Sequence, residues 1–336
     1  MDTILVTGSA GFIGYHICQR LLDDGFIVIG MDSFTKYYDL QLKEDRSSLL
    51  KKNMKFKEIR CKLEDPNALL KIFEVERPSY VIHLAAQAGV RYSIENPRAY
   101  MESNLIGTFE LLEAARAYPP RHMLLASTSS AYGANIQMPY KECQKADHQV
   151  SFYAATKKST ENIAHSYSHL FELPITMFRF FTVYGPWGRP DMAAHKFTKS
   201  ILNDVSIQVY NHGRMKRDFT YISDLCEGIR LLLNVIPNHK GEKLNIINDS
   251  LSPVAPWRVV NIGNSKPVDL FDFIAAIEFA TGSKAKKELL PMQAGDVHAT
   301  WADNTLLKDL TGYSPKTNIQ DGIKVFVNWY KEYYLK

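Results

Sequence analysis

Thr3-Ile-Leu-Val-Thr-Gly-Ser-Ala-Gly-Phe-Ile-Gly14 is the stretch on which the fold turns. It starts as a short apolar run, a strand by composition. Three glycines follow at Gly8, Gly11 and Gly14, and an amphipathic stretch continues through Asp24. A strand, a glycine-rich turn and a helix N-terminus form a pyrophosphate site. Backbone N–H groups point at the anion, and no Cβ blocks its approach. The spacing is G-x-x-G-x-x-G, not the G-x-G-x-x-G of the common dehydrogenase fingerprint. A second apolar run, 26–31, ends at Asp32, eighteen residues after Gly14. A carboxylate there accepts hydrogen bonds from an adenosine ribose and repels a 2′-phosphate, so NAD is expected over NADP. Ser33 follows, where an NADP enzyme often has Arg.

Outward from this stretch the chain alternates. Strands are expected at 3–7, 26–31, 54–60, 79–85, 121–127 and 174–181, and helices at 11–24, 66–76, 98–117 and 152–170. That rhythm implies an α/β fold, a Rossmann-like doubly wound parallel sheet with right-handed crossovers. The segment 36–55 interrupts it with charges of both signs and reads as a solvated excursion. After Thr182 the rhythm degrades through Gly185-Pro186, Gly188-Arg189-Pro190 and Gly213, and again over 248–256. The expectation is an NAD-binding domain over 1–182, with segments near 217–238 and 256–264 returning to it. Residues 183–336 would mainly form a smaller C-terminal α/β lobe that hangs loops over the ligand-binding edge of the sheet.

Composition limits the function classes. With 336 residues, 46% hydrophobic and 23% charged, the chain reads as an ordinary soluble globular protein with a real core. A net charge of +4 is too weak to argue for nucleic acid or a membrane surface. No apolar run approaches a membrane span. Cys18, Cys61, Cys143 and Cys226 are scattered without a C-x-x-C. With the first strand starting at residue 3, the expectation is a leaderless cytoplasmic protein in a reducing compartment. The ten histidines show no ligand spacing, so no metal is expected. His83, ending the fourth strand, is expected to pack in the sheet. Trp329, Tyr330, Tyr333 and Tyr334 are expected to cover the smaller lobe.

The chemistry resides in Ser151-Phe-Tyr-Ala-Ala-Thr-Lys157. A spacing of four puts Tyr153 and Lys157 on one helix face. A free phenol, with a pKa near 10, is a poor base at neutral pH, and an adjacent ammonium favours its phenolate. The fifth strand ends in Ala126-Ser-Thr-Ser-Ser-Ala-Tyr-Gly133. Its hydroxyls project toward the cofactor cleft and supply the third member of a Ser/Thr-Tyr-Lys site.

On these motifs the chain resembles the extended short-chain dehydrogenase/reductases and, among them, the UDP-glucuronate 4-epimerases. Further segments carry the resemblance: Tyr37-Tyr38-Asp39-x-x-Leu42-Lys43-x-x-Arg46, His83 to Ser93, Asn104-Leu-Ile-Gly107 and Phe178 to Met192. Arg217-Asp-Phe-Thr-Tyr221, Asn261-Ile-Gly-Asn264 and Met292 to Val297 complete it. The resemblance implies that Thr128, Tyr153 and Lys157 are catalytic. It implies NAD held by Gly8, Gly11, Phe12, Ile13, Gly14, Asp32, Ser33, Leu63, Ala85, Asn104, Tyr153 and Lys157. Thr128, Ser129, Ser130, Thr182 and Arg189 would surround the substrate carboxylate. Arg91, Lys196, Phe197, Arg217, Gln293 and Asp296 would contact UDP. It also implies a homodimer through helices 98–117 and 152–170. Two positions depart from the pattern: Lys62, where relatives usually carry Asp near adenine, and Ala294, where Pro is common.

The reaction so implied is redox epimerisation at C4 of UDP-glucuronate through a 4-keto sugar, giving UDP-galacturonate. The nearest rivals are a UDP-glucuronate decarboxylase and another UDP-hexose 4-epimerase. A 4,6-dehydratase usually carries Thr-Asp-Glu at the strand-5 end, whereas this chain has Thr128-Ser129-Ser130. A non-enzymatic dinucleotide sensor would have lost the Thr128, Tyr153 and Lys157 set that is present here.

Overall fold

The apolar run at the head of the chain forms β1 (Thr3–Thr7), and the amphipathic stretch forms α1 (Phe12–Asp23) with its apolar stripe inward. The structure, a computed structural model, describes residues 2–240, 246–293 and 297–335. The alternation continues with β2 (Ile27–Asp32), α2 (Leu40–Leu50), β3 (Phe56–Arg60), α3 (Ala68–Glu76) and β4 (Tyr80–His83). Two single-turn helices, α4 (Tyr92–Glu95) and α5 (Pro97–Tyr100), lead through a π-helical turn, Met101–Ile106, into α6 (Gly107–Ala117). Then come β5 (His122–Ala126), the long α7 (Phe152–Phe171) and β6 (Ile175–Phe180).

The second half begins with β7 (Thr182–Tyr184), α8 (Ala193–Leu202), β8 (Ile207–Val209) and β9 (Lys216–Tyr221). It continues with α9 (Ile222–Leu232), β10 (Trp257–Ile262), β11 (Pro267–Asp269) and α10 (Leu270–Thr281). It ends with β12 (Lys287–Leu289), β13 (Ala299–Thr300), α11 (Thr305–Thr311) and α12 (Ile319–Tyr334).

Seven strands form one parallel sheet in the order β10-β6-β5-β4-β1-β2-β3. Apolar layers cover both faces, one centred on α1 and α9 and the other on α3, α6 and α7. The order reverses between β1 and β4, and the loops after those strands bound a crevice at the carboxyl edge. The smaller lobe packs β9 with β7, β11 and β13, and its own core joins α8, α10 and α12.

Three sequence expectations need correction. The charged segment 36–55 is no solvated excursion. It contains α2, capped by Asp39, whose carboxylate accepts from the Gln41 N–H at 2.9 Å. Lys43 and Arg46 in α2 are buried, because a carboxylate and backbone carbonyls from distant segments supply their partners. The expected helix 98–117 is broken by the π-turn, the kind of bulge often found at functional sites. The C-terminal aromatics do more than cover the smaller lobe. Trp329 packs tilted and Tyr333 edge-on against Trp187, and the Tyr333 hydroxyl reaches Asp45 of α2, so α12 ties the lobe to the large sheet's side. His83 does pack in the sheet, within 2.8 Å of the Thr7 hydroxyl.

Candidate active site at the sheet switch point

The glycine loop packs where a side chain would not fit. Gly8 has φ +74°, and a Cβ there would lie 2.8 Å from the Ala85 nitrogen. A Cβ on Gly14 would run into the Gly8 carbonyl. Gly11 caps α1 without any side-chain hydrogen bond, so the first N–H groups of the helix are left for an anion. The Asp32 carboxylate accepts from the Ala10 N–H at 3.1 Å and the Phe34 N–H at 2.8 Å. These features fit a dinucleotide. Gly8, Gly11, Phe12, Ile13, Gly14, Asp32, Ser33 and Ala85 all line one cavity of about 430 Å³. Leu63 and Asn104 do not line it. Leu63 lies in the apolar layer beneath Gly107. Asn104 clamps the loop after β4, accepting from the Gln87 N–H at 2.8 Å and donating to the Thr156 hydroxyl at 3.0 Å; its neighbour Ser103 reaches the cavity.

Asp32 does not act alone. The ammonium of Lys43 lies 3.2 Å from it, buried like the carboxylate, and lines the same cavity. The repulsion of a 2′-phosphate expected from Asp32 is thereby partly compensated. Nothing local in the sequence signalled this, since the partner arrives eleven residues later on α2.

The candidate catalytic set comes from the loop after β5 and from α7. Ser151 caps α7, its Oγ accepting from the Ala154 N–H at 3.1 Å, which places Tyr153 in the first turn and Lys157 one turn on. Thr128, Tyr153 and Lys157 line the cavity together. Burial pushes the Tyr153 phenol above its ordinary value, opposed by the Thr128 hydroxyl and the Arg189 charge. The expected lowering of this phenol is therefore outweighed by desolvation. Burial also pulls Lys157 down to about 8, against the pull of Glu161, which leaves it an ammonium at neutral pH.

Beneath Lys157 lies a charged pair that sequence reasoning missed. Glu161, one turn further along α7, accepts from Arg179 of β6 at 2.8 and 2.6 Å and from the Ser127 hydroxyl at 2.6 Å. Burial pushes the Glu161 carboxyl up, but Arg179, with help from Lys158 and Ser127, outweighs it and holds it at about 2. The Arg179 guanidinium lies 4.5 Å above the Tyr132 ring. The i, i+4 spacing of Lys157 and Glu161 was a signal that could have found it.

Opposite stands the 185–192 loop. Arg189 lines the same cavity as Ser129, Ser130 and Thr182. Its Nε and Nη2 donate to the two oxygens of Asp191 at 2.9 and 2.5 Å, and its guanidinium lies 5.5 Å from the Tyr37 ring centre. The loop backbone is fastened elsewhere. The fully buried Arg46 donates to the Ala10 carbonyl at 2.9 Å and the Trp187 carbonyl at 2.5 Å, and His16 lies 2.8 Å from the Pro186 carbonyl. Asp191 and Tyr37 were not singled out as site residues, although both lie in the quoted motifs.

The remaining expected residues scatter more widely. A smaller adjoining cavity of about 160 Å³ shares Ser129, Ser130 and Thr182 and adds Arg217, Tyr140 and Thr300. Arg91 lies 5.1 Å from the Tyr210 ring centre. Lys196 contributes positive charge to Asp191, and Phe197 packs with Phe273 in the lobe core. The Gln293 side-chain oxygen is buried without a hydrogen bond among the described residues. Asp296 and Ala294 lie outside the described residues. Among the described residues no group of three His, Cys, Asp or Glu side chains could hold a metal ion, and no helix is long and apolar enough to cross a membrane.

Comparison with known proteins agrees with this geometry. The sequence profile of the NAD dependent epimerase/dehydratase family matches residues 4–246. A probable UDP-glucuronate 4-epimerase of Rhizobium meliloti is 50% identical over 331 residues, covering 98% of this chain and 97% of the relative. UDP-glucuronate 4-epimerase 4 of Arabidopsis thaliana is 44% identical over 337 residues, covering 99% of this chain and 76% of the relative. The crystal structure of UDP-glucuronic acid 4-epimerase from Bacillus cereus, in complex with UDP-glucuronic acid and NAD, superposes with a TM-score of 0.88 at 34% identity, covering 99% of this chain and all of that one. With a glycine loop, a strand-end carboxylate and a Thr-Tyr-Lys set on one switch-point cavity, the chain belongs to the NAD dependent epimerase/dehydratase family.

Proposed function

We propose that the protein interconverts UDP-glucuronate and UDP-galacturonate by epimerisation at C4. One observation carries this reading: Thr128, Tyr153 and Lys157 share a single cavity with the glycine loop on one side and Arg189 with the hydroxyls of Ser129, Ser130 and Thr182 on the other. Gly8, Gly11, Gly14 and Asp32 would hold NAD, which would supply a reversible hydride acceptor for C4. Tyr153 accepts the C4 hydroxyl proton and gives it back, assisted by Thr128, while the Lys157 ammonium supplies fixed positive charge beside it. The 4-keto sugar turns over between the two transfers.

Oxidation at C4 makes the uronate a β-keto acid, which loses CO₂ when its C–CO₂ bond stands perpendicular to the carbonyl plane. The carboxylate therefore has to be held out of that alignment for both epimers. A planar guanidinium suits this better than an ammonium, and that Arg189 lines the cavity with Thr128, Ser129, Ser130 and Thr182 supports this role for it. Arg91, Lys196, Phe197, Arg217, Gln293 and Asp296 are assigned to UDP on the family resemblance, supported by the adjoining cavity that contains Arg217.

The working form proposed is a cytoplasmic homodimer joined through α6 and α7. Support comes from exposed Phe109, Phe152 and Phe171 on those helices, and from four unpaired cysteines. The test of function is incubation of the purified protein with UDP-glucuronate and product identification by NMR. UDP-galacturonate is expected. A UDP-pentose as main product would establish the decarboxylase instead, and an unchanged substrate would refute both.

A further inference from the structure

We infer that Asp191 is an internal stand-in for the substrate carboxylate, holding the Arg189 fork until a uronate displaces it and so moderating the affinity for uronates. The inference rests on the uronate reading above. Four observations carry it.

First, Asp191 takes both the Nε and Nη2 edges of Arg189, at 2.9 and 2.5 Å, the bidentate geometry a uronate carboxylate would use. Second, the pair lies on the cavity wall, with both residues lining the same space as Thr128, Ser129, Ser130 and Thr182. Its side chains keep 20% and 29% exposure, against 3% and 0% for Arg179 and Glu161, so an incoming anion can reach the first pair and not the second. Third, release would not strand Asp191. The Tyr37 hydroxyl stands 3.4 Å from its Oδ2, and Lys196 contributes positive charge nearby. Fourth, the backbone on the N-terminal side of Arg189 is pinned by Arg46 at Trp187 and His16 at Pro186, so the exchange calls for rotation of a side chain rather than movement of the loop.

The exchange is selective because only an anion can replace Asp191. A neutral UDP-hexose that pulled Arg189 away would leave a partly buried guanidinium uncompensated. A uronate closes an equivalent bidentate pair at once. Asp191 therefore weakens uronate binding somewhat, which suits a freely reversible reaction in which both epimers must leave.

The test uses the NAD-loaded protein as purified, and calorimetric titration with UDP, UDP-glucuronate and UDP-glucose. Asp191→Asn is expected to tighten UDP-glucuronate about tenfold, the scale of one charged hydrogen-bond competitor removed, with UDP and UDP-glucose shifted less than about twofold. An unchanged or weakened uronate affinity, with UDP still bound normally, would show that Asp191 only positions Arg189 and would overturn the inference. A second measurement needs no variant. Crystal structures of the wild-type NAD complex should show Arg189 on Asp191 with UDP, and on the sugar carboxylate with UDP-glucuronate. Arg189 remaining bidentate on Asp191 with a uronate bound would overturn the inference while leaving the uronate reading intact. Wild-type protein that neither prefers UDP-glucuronate to UDP-glucose nor epimerises it would overturn both.

Discussion

Two arginine–carboxylate pairs, one lining the cavity and one buried beneath Lys157, differ in what surrounds them. Arg179 and Glu161 sit beneath Lys157, tied between β6 and α7, with Ser127 completing the carboxylate and the Tyr132 ring covering the guanidinium. Arg189 and Asp191 belong to one loop, two residues apart, with one side open to the cavity. The chemical groups are the same, yet the first pair is built to stay closed and the second can exchange partners. Closure depends on how many elements hold each member and whether an anion can reach it, more than on the length of the hydrogen bonds. A sealed pair fixes the charge next to the reacting groups. An accessible pair reads the charge of the substrate.

The largest expected effect is at Tyr153, one turn before Lys157 on α7. Tyr153→Phe is expected to keep NAD and lose about 10²–10⁴-fold in turnover, the usual contribution of a general acid–base group. Near wild-type turnover of that variant would remove Tyr153 from the chemistry. Glu161→Gln comes next. It leaves Arg179 buried without its counter-charge, and the expected cost is about 3–5 kcal/mol in denaturant unfolding. The loss of negative charge should also pull Lys157 further down, moving the alkaline limb of the activity profile to lower pH. A loss below about 1 kcal/mol would mean that the pair is as dispensable as a surface ion pair.

Changes at the Arg189–Asp191 pair should leave folding alone and alter partition. Arg189→Ala is expected to weaken UDP-glucuronate about 10–100-fold relative to UDP, as for a lost charged bidentate contact. It should also raise the fraction of turnovers that end as decarboxylated 4-keto-pentose. Wild-type affinity with galacturonate as the only product would leave the carboxylate to Thr128, Ser129, Ser130 and Thr182. Asp32→Ala is expected to lower NAD retention about tenfold through lost ribose hydrogen bonds. Because Lys43 would then face the site without its carboxylate, NADP should gain at the same time. Unchanged NAD content after extensive dialysis would place Asp32 away from the ribose.

The smallest expected effect is a pH limb. Lys157, pulled down to about 8, is charged below that pH and neutral above it, so activity should fall on the alkaline side. The expected loss is about twofold at pH 8 and about tenfold one unit higher, as for a single titrating group. A flat kcat/KM profile from pH 7 to 9.5 would show that the ammonium is not required.

Much of the large sheet was legible in the chain itself. Every expected strand from β1 to β6 appears within a few residues, because apolar runs, glycine turns and helical periodicity are local signals. The cofactor loop, Asp32 and the Tyr153–Lys157 face followed from short-range spacing for the same reason. The charged segment that became α2 was misread, because the partners that bury Lys43 and Arg46 lie on Asp32, Ala10 and Trp187. Leu63 and Asn104 are expected at the cofactor from the family resemblance; what spacing could not show is that the Leu63 side chain packs in the core and that Asn104 bonds the Gln87 backbone.

Residue order thus settled the sheet strands, the glycine loop and the helix face that carries Tyr153 and Lys157, since each depends on contacts within one element or one turn. Only the tertiary structure decided which charges are sealed and which are exchangeable. Burial and the meeting of β6 with α7, or of α2 with the 185–192 loop, are long-range events that set the energy of a charge and leave no trace in local spacing.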